Sequence, residues 1–199
     1  MGRLPSPWDF PPHEHAGKGR FDGPPAVFRT LYCSRSALTC LRETLAFLRP
    51  SLKALLGLAK MEPSALPALP DSWWQRRALV SAQVEILSGE VLLLDDMILR
   101  RDLRLKLADL LLDLGVEHLD MDEIQGKKRE LTQAIARMLF EEGAAGVLYR
   151  SKYDNELCGA LFEGRARLLP HGEPRSLADP IPELEQVCEE FLLDPLVGA

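Results

Sequence analysis

The stretch from residue 19 to residue 50 constrains the fold most, because it places a turn, a strand and a helix in direct succession. It opens with GRFDGPP, a Gly-, Asp- and Pro-rich turn that carries Arg20. Residues 27–33 have the aromatic and β-branched content of a strand. Ser36 can cap the helix that follows, and Pro50 ends it. The sequence therefore predicts that a basic turn leads through a short strand into a capped helix.

The predicted helix carries a leucine stripe at helical spacing, typical of a face packed on a core. The stripe consists of Leu38, Leu41, Leu45 and Leu48. Glu43 lies outside it, at the edge of the apolar arc. A carboxylate at the rim of a buried face is either a solvated flank of the helix or a residue of a functional site. The helical pattern leaves both interpretations open.

Composition indicates an ordinary globular protein. The 199 residues are 46% hydrophobic and 27% charged, which suits a chain that buries a substantial core. The net charge of −6 argues against a nucleic-acid-binding protein, since such domains usually carry a basic patch. Apolar runs such as residues 91–94 are far too short to span a membrane. The N-terminus lacks the apolar segment of a signal peptide.

The four cysteines show no CxxC pairing and no disulfide-dense spacing. They are Cys33, Cys40, Cys158 and Cys188. Reduced thiols in a cytoplasmic protein are the simplest interpretation.

Two acidic or imidazole groupings raise the question of a metal site. The run His13-Glu14-His15 follows two prolines, and zinc ligands on a helix need an i, i+4 spacing that this run lacks. Asp95 and Asp96 form a carboxylate pair at the predicted end of a strand, with no further ligand nearby in the sequence. We interpret the first as a solvated loop, the second as a strand-ending turn, and predict no metal.

The middle of the chain is mainly helical. Residues 77–86 and 90–95 read as two strands of a hairpin joined at Ser88-Gly89. Leucine periodicity predicts helices over residues 99–114, ended by Gly115, and over residues 122–142.

Strands return towards the C-terminus, at residues 146–149 and 157–162. The tail from Ala166 is predicted to be loop-like, with a short helix over residues 182–191. Strands on both sides of a helical middle predict an α+β domain with antiparallel or mixed sheets. We divide it into a Pro-rich loop at 1–18, the main domain at 19–165 and a C-terminal tail at 166–199.

Four short motifs in order resemble the RES-domain family. They are GRFD at residues 19–22, LY at 31–32, a glutamate on the following helix, and YRS at 149–151 ahead of the ALFE strand. The Arg, Glu and Ser that name the family match Arg20, Glu43 and Ser151. The resemblance extends from about Arg20 to Glu163.

The resemblance implies a function and a fold. RES proteins are NAD-consuming toxins of bacterial toxin–antitoxin pairs, with a fold related to ADP-ribosyltransferases. NAD would then be a consumed substrate rather than a recycled cofactor, and no GxGxxG dinucleotide fingerprint is present. The resemblance also implies an antitoxin that blocks the active site. A second copy of the chain is a further candidate partner.

Each matched residue suits a step of nicotinamide–ribose cleavage. Glu43 is the candidate carboxylate for the positive charge that develops on the ribose. Arg20 suits the dinucleotide phosphates through charge-assisted hydrogen bonds. Tyr32 offers a ring for stacking and a hydroxyl, and Ser151 offers a hydrogen-bond donor.

Three alternatives stay open at this point. The first is degradation of NAD, with water or phosphate as the acceptor of the ADP-ribosyl group. The second is transfer of that group to a protein side chain, which would make the protein an ADP-ribosyltransferase. A third alternative is a non-catalytic RES domain that only binds a partner.

RES domains also place a strand before the GRFD turn, where this sequence has MGRLPSPW. We expect either an upstream extension or that Arg3 or Trp8 replaces the missing group. Trp73 and Arg77 repeat a spacing of the family, and we interpret that Trp as a packing residue.

Overall fold

The computed structural model describes residues 8–23, 27–58 and 75–193. The chain forms two compact units, each built from two separated stretches of sequence. The first comprises Met1–Arg35 and Ala82–Pro170, and the second comprises Ser36–Ser81 and His171–Ala199. In the three described ranges, no helix is long and apolar enough to cross a membrane.

The described residues form the strands and helices that follow. The strands are β1 Thr30–Ser34, β2 Ala78–Ile86, β3 Val91–Leu93, β4 Gly146–Arg150, β5 Leu157–Phe162 and β6 Ala166–Ser176. The α-helices are α1 Ala37–Leu45, α2 Leu52–Leu58, α3 Met97–Lys106, α4 Ala108–Asp113, α5 Met121–Gln125, α6 Arg129–Glu141 and α7 Pro182–Phe191. Short 3₁₀ helices span His13–His15 and Ala46–Leu48. The predicted α+β class is confirmed.

The first unit is built on a mixed four-stranded sheet in the order β1-β5-β4-β3. β5 is antiparallel to both β1 and β4, whereas β3 runs parallel to β4. A parallel neighbour needs a long crossover connection, and the helices between β3 and β4 supply it. The arrangement places the ends of β1 and β4 on either side of β5.

The hairpin predicted between residues 77–86 and 90–95 is wrong. β2 pairs with β6 in a separate two-stranded sheet, and β3 joins the four-stranded sheet instead. Gly89, with φ of +74°, turns the chain between the two sheets. A Cβ there would overlap the carbonyl oxygen of Gly143, so the position requires glycine. The short apolar run at β3 is stabilised by the parallel pairing rather than by its neighbour in sequence.

One face of this sheet packs on α6. Leu131, Ile135 and Leu139 of α6 are fully buried, as the predicted helical stripe requires. They share a core with Val147 and Phe162 of the sheet. Burying a leucine or phenylalanine side chain contributes about 1.5–3 kcal/mol. The strands that carry Tyr32 and lead to Ser151 therefore lie on a rigid base.

The two long helices predicted for the middle of the chain are each divided. Leu107 leaves helical geometry between α3 and α4, with φ of −106° and ψ of 19°. The second predicted helix breaks at Gly126, which ends α5 before α6 begins at Arg129. Leucine spacing continues across the first break, and Ile124 continues the apolar spacing of α6 across the second, so the sequence pattern did not reveal either break.

The N-terminal segment is attached to the first unit by its backbone carbonyls. Gln133 on α6 donates from Nε2 to the carbonyls of Gly17 and Gly19, at 3.1 and 2.8 Å. Arg29 donates to the carbonyls of Phe10 and Pro11, at 3.4 and 3.2 Å. These bonds position the segment that leads into the GRFD turn.

The second unit contains α1 packed on α7. The predicted cap of α1 is confirmed, since the Ser36 side chain accepts from the Thr39 backbone N–H. Leu41 and Leu45 of the predicted stripe are buried. A salt bridge of 2.6 Å joins Arg42 of α1 to Glu190 of α7. These contacts fix α1 against its neighbour.

The C-terminal tail is more ordered than predicted. Residues 166–176 form β6, where the sequence predicted a loop, whereas α7 spans the predicted residues 182–191. Pro170, Gly172 and Pro174 obscured the strand in the sequence. Prolines are tolerated in a strand at a sheet edge, and in a two-stranded sheet each strand has an open edge.

Candidate active site

The GRFD turn is held together by the side chain of Asp22. This carboxylate is buried and accepts from the Gly19 backbone N–H at 2.7 Å and from the Tyr32 hydroxyl at 2.8 Å. The Tyr32 hydroxyl in turn accepts from the Phe21 N–H at 2.8 Å. A Cβ on Gly19 would overlap the Tyr32 hydroxyl, so only glycine fits. The turn and β1 are therefore locked to each other.

Tyr32 presents its ring while its hydroxyl is engaged inside the turn. The residue is 40% exposed, although the hydroxyl lies between Asp22 and Phe21. Burial of the hydroxyl raises the pKa of Tyr32 far above its ordinary value, and the neighbouring Asp22 carboxylate adds to the increase. The phenol therefore stays protonated and donates to Asp22. Its exposed part is available for stacking.

Arg20 is held by one of its three guanidinium nitrogens. Its Nη1 donates to the carbonyls of Ile124 and Gly126, both at 2.7 Å. Within the described ranges, Nε and Nη2 make no hydrogen bond, and the side chain is half-buried. The guanidinium is therefore fixed in orientation while two of its nitrogens can serve a ligand.

Ser151 follows β4 directly and is only 1% exposed. Its hydroxyl accepts from the Tyr153 N–H at 3.2 Å, and its backbone N–H donates to the Glu156 carbonyl at 2.9 Å. Asn155, whose φ is +59°, donates its N–H back to the Ser151 carbonyl at 3.0 Å. Ser151 thus closes a tight loop between β4 and β5.

The elements that hold Arg20 and Ser151 are connected. Gln125 donates from Nε2 to the carbonyl of Arg150 at 3.2 Å, and its neighbours along the chain bind Arg20. Phe21 packs on Tyr149 with ring centroids 4.7 Å apart. The end of α5 therefore joins the GRFD turn to the end of β4.

Glu43 lies on α1 of the second unit. Its side chain is half-buried beside the buried Leu41 and Leu45. Within the described ranges, the Glu43 carboxylate makes no hydrogen bond or ion pair. A half-buried carboxylate without a partner is chemically available, in contrast to Asp22.

The two groupings considered for metal binding have other roles. Asp96 caps α3, accepting from the backbone N–H groups of Ile98 and Leu99 at 2.7 and 3.2 Å. Asp95 pairs with Arg150 at 2.7 Å. Residues 13–15 form an exposed 3₁₀ turn. Across the described residues, no group of three metal-ligating side chains comes together.

Some predicted residues lie outside the described residues, namely Arg3 and Trp73. Arg77 lies in the second unit, before β2. Burial lowers the pKa of the Arg77 guanidinium below its ordinary value.

The sequence interpretation missed the contributions of Asp22 and Gln125. Asp22 is part of the GRFD motif, and an aspartate in a turn that binds a nearby backbone N–H is a known turn signal. No local signal identifies Gln125, because its partner at residue 150 is distant in sequence.

A family model described as the RES domain matches residues 2–179. The chain belongs to the RES domain family. The resemblance carried by GRFD, LY, YRS and ALFE is therefore confirmed. In this RES domain, the GRFD and LY motifs meet through Asp22. The end of α5 connects the GRFD turn to the YRS motif.

Among curated proteins, no sequence gives a significant match to this chain. Among solved structures, the chain is similar to the crystal structure of the M. tuberculosis MbcT-MbcA toxin-antitoxin complex. The two are 17% identical with a TM-score of 0.46, and the match covers 80% of this chain and 73% of that chain.

Proposed function

We propose that this RES domain consumes NAD by cleaving the nicotinamide–ribose bond, as the toxin of a toxin–antitoxin pair. In that reaction the bond between ribose C1′ and the nicotinamide nitrogen breaks, and nicotinamide leaves with the bonding electrons. An acceptor oxygen then bonds to C1′. Water as acceptor gives ADP-ribose and a proton, and phosphate gives the 1-phosphate of the ADP-ribosyl group. NAD is the substrate, and no further cofactor is required.

The observation that carries this proposal is the geometry of Arg20. A guanidinium that is anchored through Nη1 to two carbonyls keeps Nε and Nη2 for a ligand. Because its orientation is fixed in advance, little side-chain entropy is lost when it binds a phosphate. We assign Arg20 to the NAD pyrophosphate.

Tyr32 is assigned to a planar ring of the substrate, such as nicotinamide. Its hydroxyl already donates to Asp22, which argues against a role as a proton donor in the reaction. The residue is 40% exposed, and the hydrogen bonds of its hydroxyl hold it in place against the turn. Stacking on a planar ring such as nicotinamide uses that surface.

Ser151 is assigned to orienting the substrate. Its Oγ accepts from Tyr153, and its hydroxyl proton has no acceptor within the described ranges. Because Ser151 is almost fully buried, we expect its hydroxyl either to contact a substrate group that reaches into the loop or to stabilise the loop itself.

Glu43 is assigned to the charge that develops on the ribose. Cleavage proceeds through an oxocarbenium-like transition state, which a nearby carboxylate stabilises. A carboxylate that is already paired within the fold would be less effective. Glu43 has no partner in the described residues, which supports its assignment over Asp22.

A protein that consumes NAD must be inhibited in its own cell. We therefore propose an antitoxin whose bound segment occludes the surface around Arg20. A complex in which Arg20 is covered by the partner but NAD still binds freely would contradict this part of the proposal.

The proposal is tested by incubating the pure protein with NAD, with and without inorganic phosphate, and identifying the products by mass. Hydrolysis would release nicotinamide in both samples, whereas strict phosphorolysis would release it only in the sample with phosphate, so only intact NAD in both samples counts against cleavage. A control sample of NAD without protein measures spontaneous hydrolysis. Intact NAD after incubation with folded protein would refute the proposal. Modification of an added protein would instead favour ADP-ribosyl transfer.

The toxin assignment needs a separate test in cells. Expression without an antitoxin should lower cellular NAD and arrest growth. Constant NAD while folded protein accumulates would exclude this role.

A further inference from the structure

A basic groove lies on the first unit, between α3 and the segment that precedes α5. Its volume is 230 Å³. Its lining residues are Met97, Arg100, Arg101, Arg104, His118, Leu119 and Asp120. None of them belongs to the GRFD, LY or YRS motifs. We call this opening the α3 groove.

Two arginines of the α3 groove differ from most of the others in the protein. Arg100 and Arg104 are one helical turn apart on α3, and neither makes a hydrogen bond or ion pair within the described ranges. By contrast, Arg29, Arg42 and Arg150 are each paired with a carboxylate. Like charges at i and i+4 on a helix repel each other. A bound anion would relieve that repulsion.

The overall charge makes this grouping more notable. The chain carries a net charge of −6, so acidic residues with which Arg100 and Arg104 could pair are plentiful in the sequence. Arg101 does pair with its neighbour Asp102 at 2.8 Å, which leaves Arg100 and Arg104 as the available cations. His118, which is exposed, adds hydrogen-bonding capacity opposite them. Guanidinium and imidazole groups together suit a phosphate group.

The other lining residues of the α3 groove narrow the class of ligand further. Asp120 is an exposed carboxylate at the same groove, without a hydrogen bond to the described residues. A carboxylate repels a bare phosphate but accepts well from sugar hydroxyls, as in nucleotide sites where an acidic residue binds ribose. Met97 and Leu119 add apolar surface of the kind that contacts a sugar or a base.

We propose that the α3 groove binds a nucleoside diphosphate, with its phosphates at Arg100 and Arg104 and its ribose hydroxyls at Asp120. A groove of 230 Å³ is slightly smaller than the roughly 300–1,000 Å³ of most small-molecule sites, so part of the nucleoside would lie outside it. None of its lining residues is assigned to NAD cleavage, so the proposal does not require the protein to turn over NAD.

The test follows the imidazole resonances of His118 by NMR in the intact protein, identified by their loss in His118→Gln. ADP, inorganic pyrophosphate and adenosine are titrated separately, and affinities are taken from the His118 shifts, because a pyrophosphate group can also bind at Arg20. ADP has no nicotinamide, so the outcome does not depend on NAD cleavage. We expect ADP and pyrophosphate to shift His118 at concentrations below about 1 mM, with ADP the tighter ligand.

Variants then separate the two halves of the site. Arg104→Gln should weaken ADP and pyrophosphate by about tenfold or more, because one charge-assisted contact is lost. Asp120→Asn should weaken ADP but tighten pyrophosphate, since it replaces a charged hydroxyl acceptor with a weaker neutral one and removes a negative charge. Arg137→Gln is the matched control, because Arg137 is an exposed helical arginine of the same unit that pairs with Glu141 and does not line the groove.

Three results would overturn the proposal. The first is no shift of His118 with either phosphate ligand. The second is equal weakening by Arg104→Gln and Arg137→Gln, which would mean non-specific attraction. The third is binding of pyrophosphate that ADP does not exceed, which would leave only a simple anion site. Because Arg104 is exposed and has no partner in the described residues, an unchanged melting temperature is expected for its variant.

Discussion

The candidate residues of the GRFD turn and Glu43 of α1 differ in the hydrogen bonds that tie them to the rest of the fold. In the turn, Asp22, Tyr32 and the Gly19 backbone bind one another, and Arg20 is anchored to two distant carbonyls. On α1, Glu43 makes no such bond within the described residues. Substitutions in the turn should therefore change stability, and those that remove a group assigned to NAD should change activity as well. A substitution at Glu43 should change activity alone.

The largest loss of stability is expected for Gly19→Ala. Its new Cβ would overlap the Tyr32 hydroxyl and lie 2.6 Å from Asp22 Oδ1, so the turn must shift. Overpacking of this kind costs about 1–3 kcal/mol, and we expect the upper end in denaturant unfolding.

The control for that substitution is Gly115→Ala. Gly115 has a positive φ, of +64°, but no atom lies within 4 Å of the position that a Cβ would occupy. Only backbone strain of about 1–2 kcal/mol is expected there. Equal losses for the two variants would show that the Gly19 contact is unimportant.

Arg20→Ala should reduce both stability and affinity for NAD. It removes the donor to the carbonyls of Ile124 and Gly126, for which we expect a loss of about 2 kcal/mol in the free energy of unfolding. Apparent KM should rise about tenfold or more, because a phosphate contact is lost. Arg20→Lys keeps the charge but not the fork, so it should recover only part of each. Full recovery by lysine would contradict the anchored geometry.

Tyr32→Phe separates the hydroxyl from the ring. Loss of the bond to the buried Asp22 should cost about 1–2 kcal/mol of stability. The ring remains, so the KM for NAD should stay near that of the wild type. Tyr32→Ala should raise it. If Tyr32→Phe abolished turnover while the protein stayed folded, the hydroxyl would have a direct chemical role.

The smallest effect concerns acid stability at the base of β1. The hydrogen bond and ion pair with Arg29 hold the pKa of Glu163 below its ordinary value. A carboxyl with a lowered pKa in the folded state stabilises the fold above its unfolded pKa. That contribution is lost as pH falls through the folded pKa. Glu163→Gln should therefore reduce stability by less than about 1 kcal/mol at neutral pH, and the difference should disappear as the pH falls through the folded pKa of Glu163.

Local patterns identified much of the fold. The Ser36 cap, the glycine stops at Gly115 and Gly143, and β5 at residues 157–162 were all predicted from neighbouring residues. What failed depends on distant partners. β3 pairs with β4 across a long crossover, and β6 is a strand only because β2 lies beside it. A strand with two prolines has no sequence signal that separates it from a loop.

The candidate site divides in the same way. The motif order identified Arg20, Tyr32 and Ser151, and the turn composition placed Arg20 correctly outside a helix or strand. The anchoring of Arg20 by the end of α5 could not be predicted, because backbone carbonyls carry no sequence identity. The assigned roles of all four residues stay predictions, as does the division at residues 18 and 165.

The most direct measurement is the rate of nicotinamide release from NAD, together with the melting temperature, for the wild type, Glu43→Gln and Glu185→Gln. Glu185 is an exposed helical glutamate of the same unit and serves as the matched control. We predict that Glu43→Gln lowers the rate by about a hundredfold or more at an unchanged melting temperature, while Glu185→Gln changes neither. Release at the wild-type rate by folded Glu43→Gln would contradict the assignment of Glu43 to the ribose charge.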